Sequence, residues 1–177
     1  MIKLRIYDAR ILVLDLRHRR FGYAVFEGHR SLLDWGVRVY PAVGEEETIL
    51  VMKRLDGLVG LFTPSAIVVK KERWKQPDMK PEIHSVVKGV SLLASSRSIP
   101  VHLLPQSDLL NAFAPLGGRT REEIAEVLTR IYPDLLWYLP PKRKIWQAEH
   151  PRLTVFDAIA LGVAYWQARD VEIVDSQ

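Results

Sequence analysis

The chain has 177 residues, 48% of them hydrophobic, enough for one domain with a sizeable core. Lys and Arg exceed Asp and Glu by 25 − 21 = 4, a charge too mild for a basic tail or a disordered polyelectrolyte but of the sign that suits a polyanionic partner. The absence of cysteine excludes a disulfide framework, a thiolate nucleophile and cysteine-ligated zinc or iron–sulfur sites. With no long uncharged segment after Met1-Ile-Lys-Leu-Arg, and no run near the roughly 20 apolar residues that span a bilayer, the expected setting is the cytoplasm, away from membranes.

Ile11-Leu-Val-Leu-Asp-Leu is an apolar run too short for a helix and rich in strand formers, so it reads as a buried strand carrying one acid, Asp15, near its end. A basic bend, Arg17-His-Arg-Arg, leads to Phe21-Gly-Tyr-Ala-Val-Phe, and Gly28 separates this from Leu32-Leu-Asp-Trp-Gly-Val-Arg-Val-Tyr. The short connections predict an antiparallel three-stranded meander. Glu45 to Phe62 carries apolar residues at helical spacing and stops before Pro64. Ala66-Ile-Val-Val-Lys is another buried-type strand, Pro81 to Ser98 is helical in pattern, and Val101-His-Leu-Leu is a strand again. Strand, helix, strand implies a crossover between parallel strands. Thr120 and Glu123 have the spacing of a capping box opening a helix to about Tyr132, and a last helix is expected from about Leu153 to Arg169. No repeat or linker is visible, so residues 1–177 are read as one domain.

The order fits an α/β fold with a mixed five-stranded sheet, three antiparallel strands then parallel ones, and helices on both faces. If the first and fourth strands are parallel neighbours, Asp15 and Glu72 emerge at one sheet edge, and Asp157 can join them from the last helix. Three converging carboxylates repel unless a divalent cation neutralises them, and hard oxygen ligands favour Mg2+ or Mn2+. That is the chemistry of two-metal phosphodiester hydrolysis, one ion generating the attacking hydroxide and the other stabilising the leaving oxygen. Each acid also has an ordinary reading: Asp15 paired with Arg17 or Arg19, Glu72 in a solvated charged loop, and Asp157 capping its helix or facing solvent.

These residues resemble the RuvC Holliday-junction resolvases of the ribonuclease H-like superfamily, over most of the chain. Asp15 followed seven residues later by Gly22-Tyr-Ala-Val resembles the first motif, Ala66-Ile-Val-Val-Lys-Lys-Glu-Arg-Trp the second, and Asp157-Ala-Ile-Ala-Leu-Gly the closing helix motif. Val101-His-Leu-Leu-Pro and Gly118-Arg-Thr-Arg-Glu-Glu-Ile resemble the fifth strand and the helix after it. The resemblance implies a homodimeric nuclease holding two ions on Asp15, Glu72 and Asp157 and cutting branched DNA, with structured RNA as an alternative substrate. Two positions depart from the family: Leu16-Arg17 replaces a Pro-Gly pair, and Thr154 stands where a fourth ligand, an acid or histidine, is usual. Glu149 and His150 can reach the site only from a loop, because Pro151 separates them from the helix.

Basic residues cluster beside the acids: Arg17, Arg19 and Arg20 after Asp15; Lys71, Arg73 and Lys75 around Glu72; Lys142, Arg143 and Lys144 before the last helix. Such groups would hold phosphates. Trp74 and Trp146 lie in two of these clusters, where covering the core is the favoured reading over stacking on bases; Trp35, Trp137 and Trp166 read as core or interface. The competing function is a binding or scaffolding module that has kept the fold and lost catalysis. Divalent ions between the acids would favour the nuclease, and a salt bridge from Arg17 or Lys71 into them would favour the module. A sugar-kinase or actin-like ATPase is disfavoured by length and by the lack of glycine-rich phosphate loops.

Overall fold

A computed structural model of the chain describes residues 9–29, 31–40, 45–74, 81–144 and 146–174. Strands β1 (Arg10–Arg17), β2 (Arg20–Glu27) and β3 (Ser31–Val39) form the meander. Arg19 (φ 57°) and Gly28 (φ 63°) take the left-handed conformation that such tight connections require. There follow α1 (Glu45–Phe62), β4 (Ala66–Lys70), α2 (Lys71–Trp74), α3 (Pro81–Ser96), β5 (Val101–Leu104), α4 (Gln106–Phe113), α5 (Arg121–Ile131) and α6 (Leu153–Val174). The sheet order is β3-β2-β1-β4-β5, with β1–β2 and β2–β3 antiparallel and β1–β4 and β4–β5 parallel.

Strand periodicity divides the interior in two. Leu12, Leu14, Leu16, Val25, Ile67 and Val69 meet Val51 and Leu55 of α1 and Val86 and Val90 of α3 on one face. Ile11, Val13, Ala24, Phe26 and Val68 meet Phe113 of α4, Leu128 of α5 and Phe156 and Ile159 of α6 on the other. Asp15 and Arg17 share the parity of Ile11 and Val13, so both side chains belong to the α6 face at the end of the central strand.

Two elements differ from expectation. Gln106–Phe113 is the helix α4, which has no side-chain N-cap and only Leu109 and Phe113 as buried residues. Eight residues with four apolar ones bunched at the C-terminal end leave little periodicity to read. Lys71–Trp74 is a helical turn rather than a loop. The capping box forms as expected: the Thr120 side chain accepts from the Glu123 N–H, and the Glu123 carboxylate accepts from the Thr120 N–H.

Candidate active site

The interval between Asp15 and Gly22 has a geometric cause. The two residues are directly opposed across the β1–β2 hairpin, so they share one face of the sheet. A Cβ on Gly22 would stand 2.7 Å from the carbonyl carbon of Thr154 and 2.9 Å from its Cγ2. The missing side chain therefore lets the first turn of α6 rest on β2. Thr154 is fully buried in that contact and acts as a packing residue at the position where the family resemblance expects a ligand. Asp157, one turn further along α6, is thereby carried over Asp15.

Two arginines fill the space between these acids. Arg17 doubles back along its own strand, donating from Nε to Asp15 Oδ2 at 2.7 Å and from Nη2 to Asp157 Oδ2 at 3.0 Å. Arg121 donates from Nε to Asp157 Oδ1 at 3.1 Å, from Nη2 to Asp157 Oδ2, and forms an ion pair through Nη1 with Glu149. The Asp15 side chain is 1% exposed, that of Asp157 13% and that of Arg17 19%. Burial pushes the Asp15 carboxyl above its ordinary range, and the Asp157 charge adds to this; Arg17 pulls it back only in part. Burial opposes the charge on both guanidiniums, but their carboxylate partners outweigh it and hold both pKa values above the usual arginine range. The hydrogen bond from Arg121 holds the Glu149 carboxyl below its usual range.

Glu72 leaves the sheet at the same edge, because β1 and β4 are parallel neighbours with Leu14 opposite Val69. It does not join the arginine-bridged pair. Its Oε1 accepts from the Gln106 N–H at 3.0 Å, supplying the N-terminal cap that α4 otherwise lacks. Its Oε2 is buried with no donor among the described residues, and so is Asp15 Oδ1. Buried carboxylate oxygens without partners are costly and uncommon. These two hard donors fit a divalent cation, whereas Asp157, with both oxygens taken by guanidiniums, can contribute only if an arginine yields. Among the described residues, no group of three or more acids and histidines comes together as a ready ligand set.

Glu149 reaches the site from its loop, as a partner of Arg121 rather than a ligand. His150 instead accepts at Nδ1 from the Arg152 N–H at 3.3 Å. Of the expected phosphate contacts, Arg17 is turned inward onto the acids. Arg19 and Lys71 are exposed, and Arg20 has a buried Nε with no acceptor. Lys142 lies 3.8 Å from Glu126, Arg143 bonds Glu122 at 3.2 Å, and Lys144 sits over the Trp146 ring at 5.4 Å. Lys75 and the Arg73 side chain lie outside the described residues. Trp74 packs on the core, Trp35 lies against it and Trp166 is buried within it. Trp137, in the 3-10 turn Pro133–Tyr138, and Trp146 are exposed, 91% and 79%, so neither covers the core.

Arg121 is the site residue that sequence reasoning missed. A signal existed: it follows the N-cap Thr120 directly, where a cation opposes the helix dipole and needs a carboxylate elsewhere to hold it.

No protein-family model matches the sequence, and no curated protein does. Solved structures do. Thermus thermophilus RuvC in complex with a Holliday junction substrate is 19% identical with a TM-score of 0.67, over 91% of this chain and 95% of that one. A further structure of T. thermophilus RuvC is 20% identical with a TM-score of 0.65, over 90% and 95%. The yeast mitochondrial Holliday junction resolvase is 17% identical with a TM-score of 0.63, over 92% and 80%. The chain thus has a ribonuclease H-like fold. Within that class, its overall fold is similar to those of the RuvC and yeast mitochondrial Holliday junction resolvase structures, and at these identities the likeness is one of fold.

Proposed function

We propose that the chain is a divalent-metal-dependent endonuclease acting on branched DNA, with Asp15, Glu72 and Asp157 as the ion-holding residues. The observation that carries this reading is the pair of orphaned buried oxygens, Asp15 Oδ1 and Glu72 Oε2, at one edge of a sheet whose fold the resolvases share. Mg2+ or Mn2+, two ions by analogy with the family, would supply water activation and charge neutralisation at the leaving oxygen. The residues themselves do the positioning. The β1–β4 pairing fixes Asp15 relative to Glu72, Gly22 seats α6 so that Asp157 faces Asp15, and Arg121 locks the Asp157 carboxylate plane from one side. Arg19, Lys71 and Lys144 are exposed cations for the phosphates of a nucleic-acid arm. A homodimer would present two such sites to a four-way junction.

The second reading, a binding module without catalysis, is favoured by one observation: Arg17 and Arg121 already neutralise Asp157, and Arg17 neutralises Asp15. The two readings separate in one experiment. Labelled four-way junctions, duplex DNA and structured RNA are incubated with Mg2+ or Mn2+ and wild type, Asp15→Asn or Asp157→Asn. Metal-dependent cleavage of the junction, lost in both variants, is expected; tight junction binding without cleavage under either metal would establish the module instead.

A further inference from the structure

The arginine after Asp15 stands where the family resemblance expects a small Pro-Gly pair, and its side chain has a definite place. Arg17 is two residues beyond Asp15 on the same strand, so both side chains project from the same face. Its guanidinium bridges the two acids through different nitrogens, to Asp15 Oδ2 and to Asp157 Oδ2. We propose that Arg17 is a built-in occupant of the cation position between Asp15 and Asp157, displaced when a divalent ion binds, so that ion binding is a competition against a tethered guanidinium. This rests on the metal-dependent reading of the site.

The distribution of hydrogen bonds supports displacement. Asp157 Oδ2 receives both Arg17 and Arg121, while the buried Asp15 Oδ1 receives nothing among the described residues. The arrangement is thus saturated on one acid and deficient on the other. An ion shared by Asp15 and Asp157 needs an oxygen of each, and the facing pair is held by Arg17. Arg17 and Arg121 also repel each other across Asp157, and a divalent charge arriving between them would raise that repulsion in the dry interior. Arg121 has a direct ion pair with Glu149 as a second anchor, whereas among the described residues the Arg17 side chain hydrogen-bonds to Asp15 and Asp157 alone, so Arg17 is the group that yields. As the last residue of β1, next to the exposed His18-Arg19 turn, it has solvent within one side-chain rotation. The displaced guanidinium would stay at the rim, able to take two oxygens of a phosphate in bidentate fashion. Ion entry and phosphate capture would then be linked through one side chain.

The test is Mn2+ binding without DNA, read by calorimetry and by loss of the free-ion electron paramagnetic resonance signal, on wild type, Arg17→Met and Arg17→Lys. Thermal melts verify folding. Arg17→Met keeps the stem volume and removes the charge, and is expected to bind Mn2+ at least tenfold tighter than wild type. Arg17→Lys keeps a charge but cannot bridge two acids in the same fork, and should fall between. In 15N-arginine spectra of the wild type, diamagnetic Mg2+ should shift the Arg17 Nε–H resonance. Equal Mn2+ affinity in all three proteins overturns the competition while leaving the metal site standing. Absence of Mn2+ binding in all three overturns both the competition and the metal-dependent reading.

Discussion

Gly22→Ala is the sharpest structural perturbation, because the added methyl has nowhere to go. The new Cβ would lie 2.7 Å from the Thr154 carbonyl carbon, and although Thr154 Cγ2 is also close, the tightest collisions are with the backbone of α6, which cannot rotate away. Overpacking of a tight contact costs about 1–3 kcal/mol, and a clash against main chain sits at the upper end, about 3 kcal/mol. For a chain of this size 1 kcal/mol corresponds to roughly 2–4 °C, so a fall in Tm of about 6–12 °C is expected by circular dichroism. The same clash lifts the first turn of α6 and moves Asp157 away from Asp15, so junction cleavage should be lost even well below the melting temperature. Gly57→Ala on α1 is the control: nothing lies within 4 Å of a Cβ there, and relief of glycine's conformational entropy should raise stability by about 0.5–1 kcal/mol. A Gly22→Ala protein melting within about 1 °C of wild type would refute the docking of α6 on β2, and with it the geometric basis of the acid pair.

Asp157→Asn should abolish cleavage and also cost about 1–2 kcal/mol in chelator, since bonds from two guanidiniums lose their charged acceptor while Asp15 and Glu149 keep one arginine each; a chemical denaturation series measures this, and an unchanged midpoint would sink it. Glu72→Gln keeps an oxygen for the Gln106 N–H and should retain wild-type stability while losing cleavage, whereas Glu72→Ala should also lose about 1 kcal/mol with the α4 cap. Equal stability of the two Glu72 variants would contradict the cap. The Glu149 carboxyl is held low in the folded protein, so its contribution to stability is present above the unfolded value of 4.5 and is lost as pH falls through the folded value. Carboxyl NMR titration should find it depressed in wild type and near its ordinary range in Arg121→Gln.

Most of the sheet was legible because its signals are local. Short apolar runs separated by tight connections define the meander, and two further runs separated by a helical period define the crossover. The ends of α1 and β4 coincide with Pro64 and with the change from Val69 to the charged run that starts at Lys70. Asp15 and Gly22 were legible as a pair through the family resemblance alone; the structure supplies the reason, since a hairpin with a two-residue turn opposes residues whose numbers have a constant sum, and seven apart is one such pair. What stayed hidden depends on contacts distant in sequence. The α4 helix is capped by Glu72, 34 residues earlier, and no local residue announces its start. Trp137 is apolar and large, yet its exposure is set by where the 3-10 turn at Pro133–Tyr138 faces, which composition does not encode.

The site itself divides along the same line. The ordinary reading of Asp15 as a partner of Arg17 and the functional reading of Asp15 as an ion ligand were set against each other, but the geometry separates them by atom rather than by residue. Oδ2 serves the ion pair, and Oδ1 is left buried and unpaired. Glu72 divides in the same way, one oxygen on the α4 backbone and the other free. A carboxylate has two oxygens, and at each of these positions one holds structure while the other has no hydrogen-bond partner among the described residues. Neutralisation by arginine therefore does not by itself count against a metal-binding role. It lets Asp15 and Asp157 sit side by side in a dry interior, which two unscreened acids could not sustain. Asp157 differs, since Arg121 engages both of its oxygens and Arg17 shares only Oδ2; moving Arg17 would leave Oδ2 to Arg121 alone and open the bridge to Asp15.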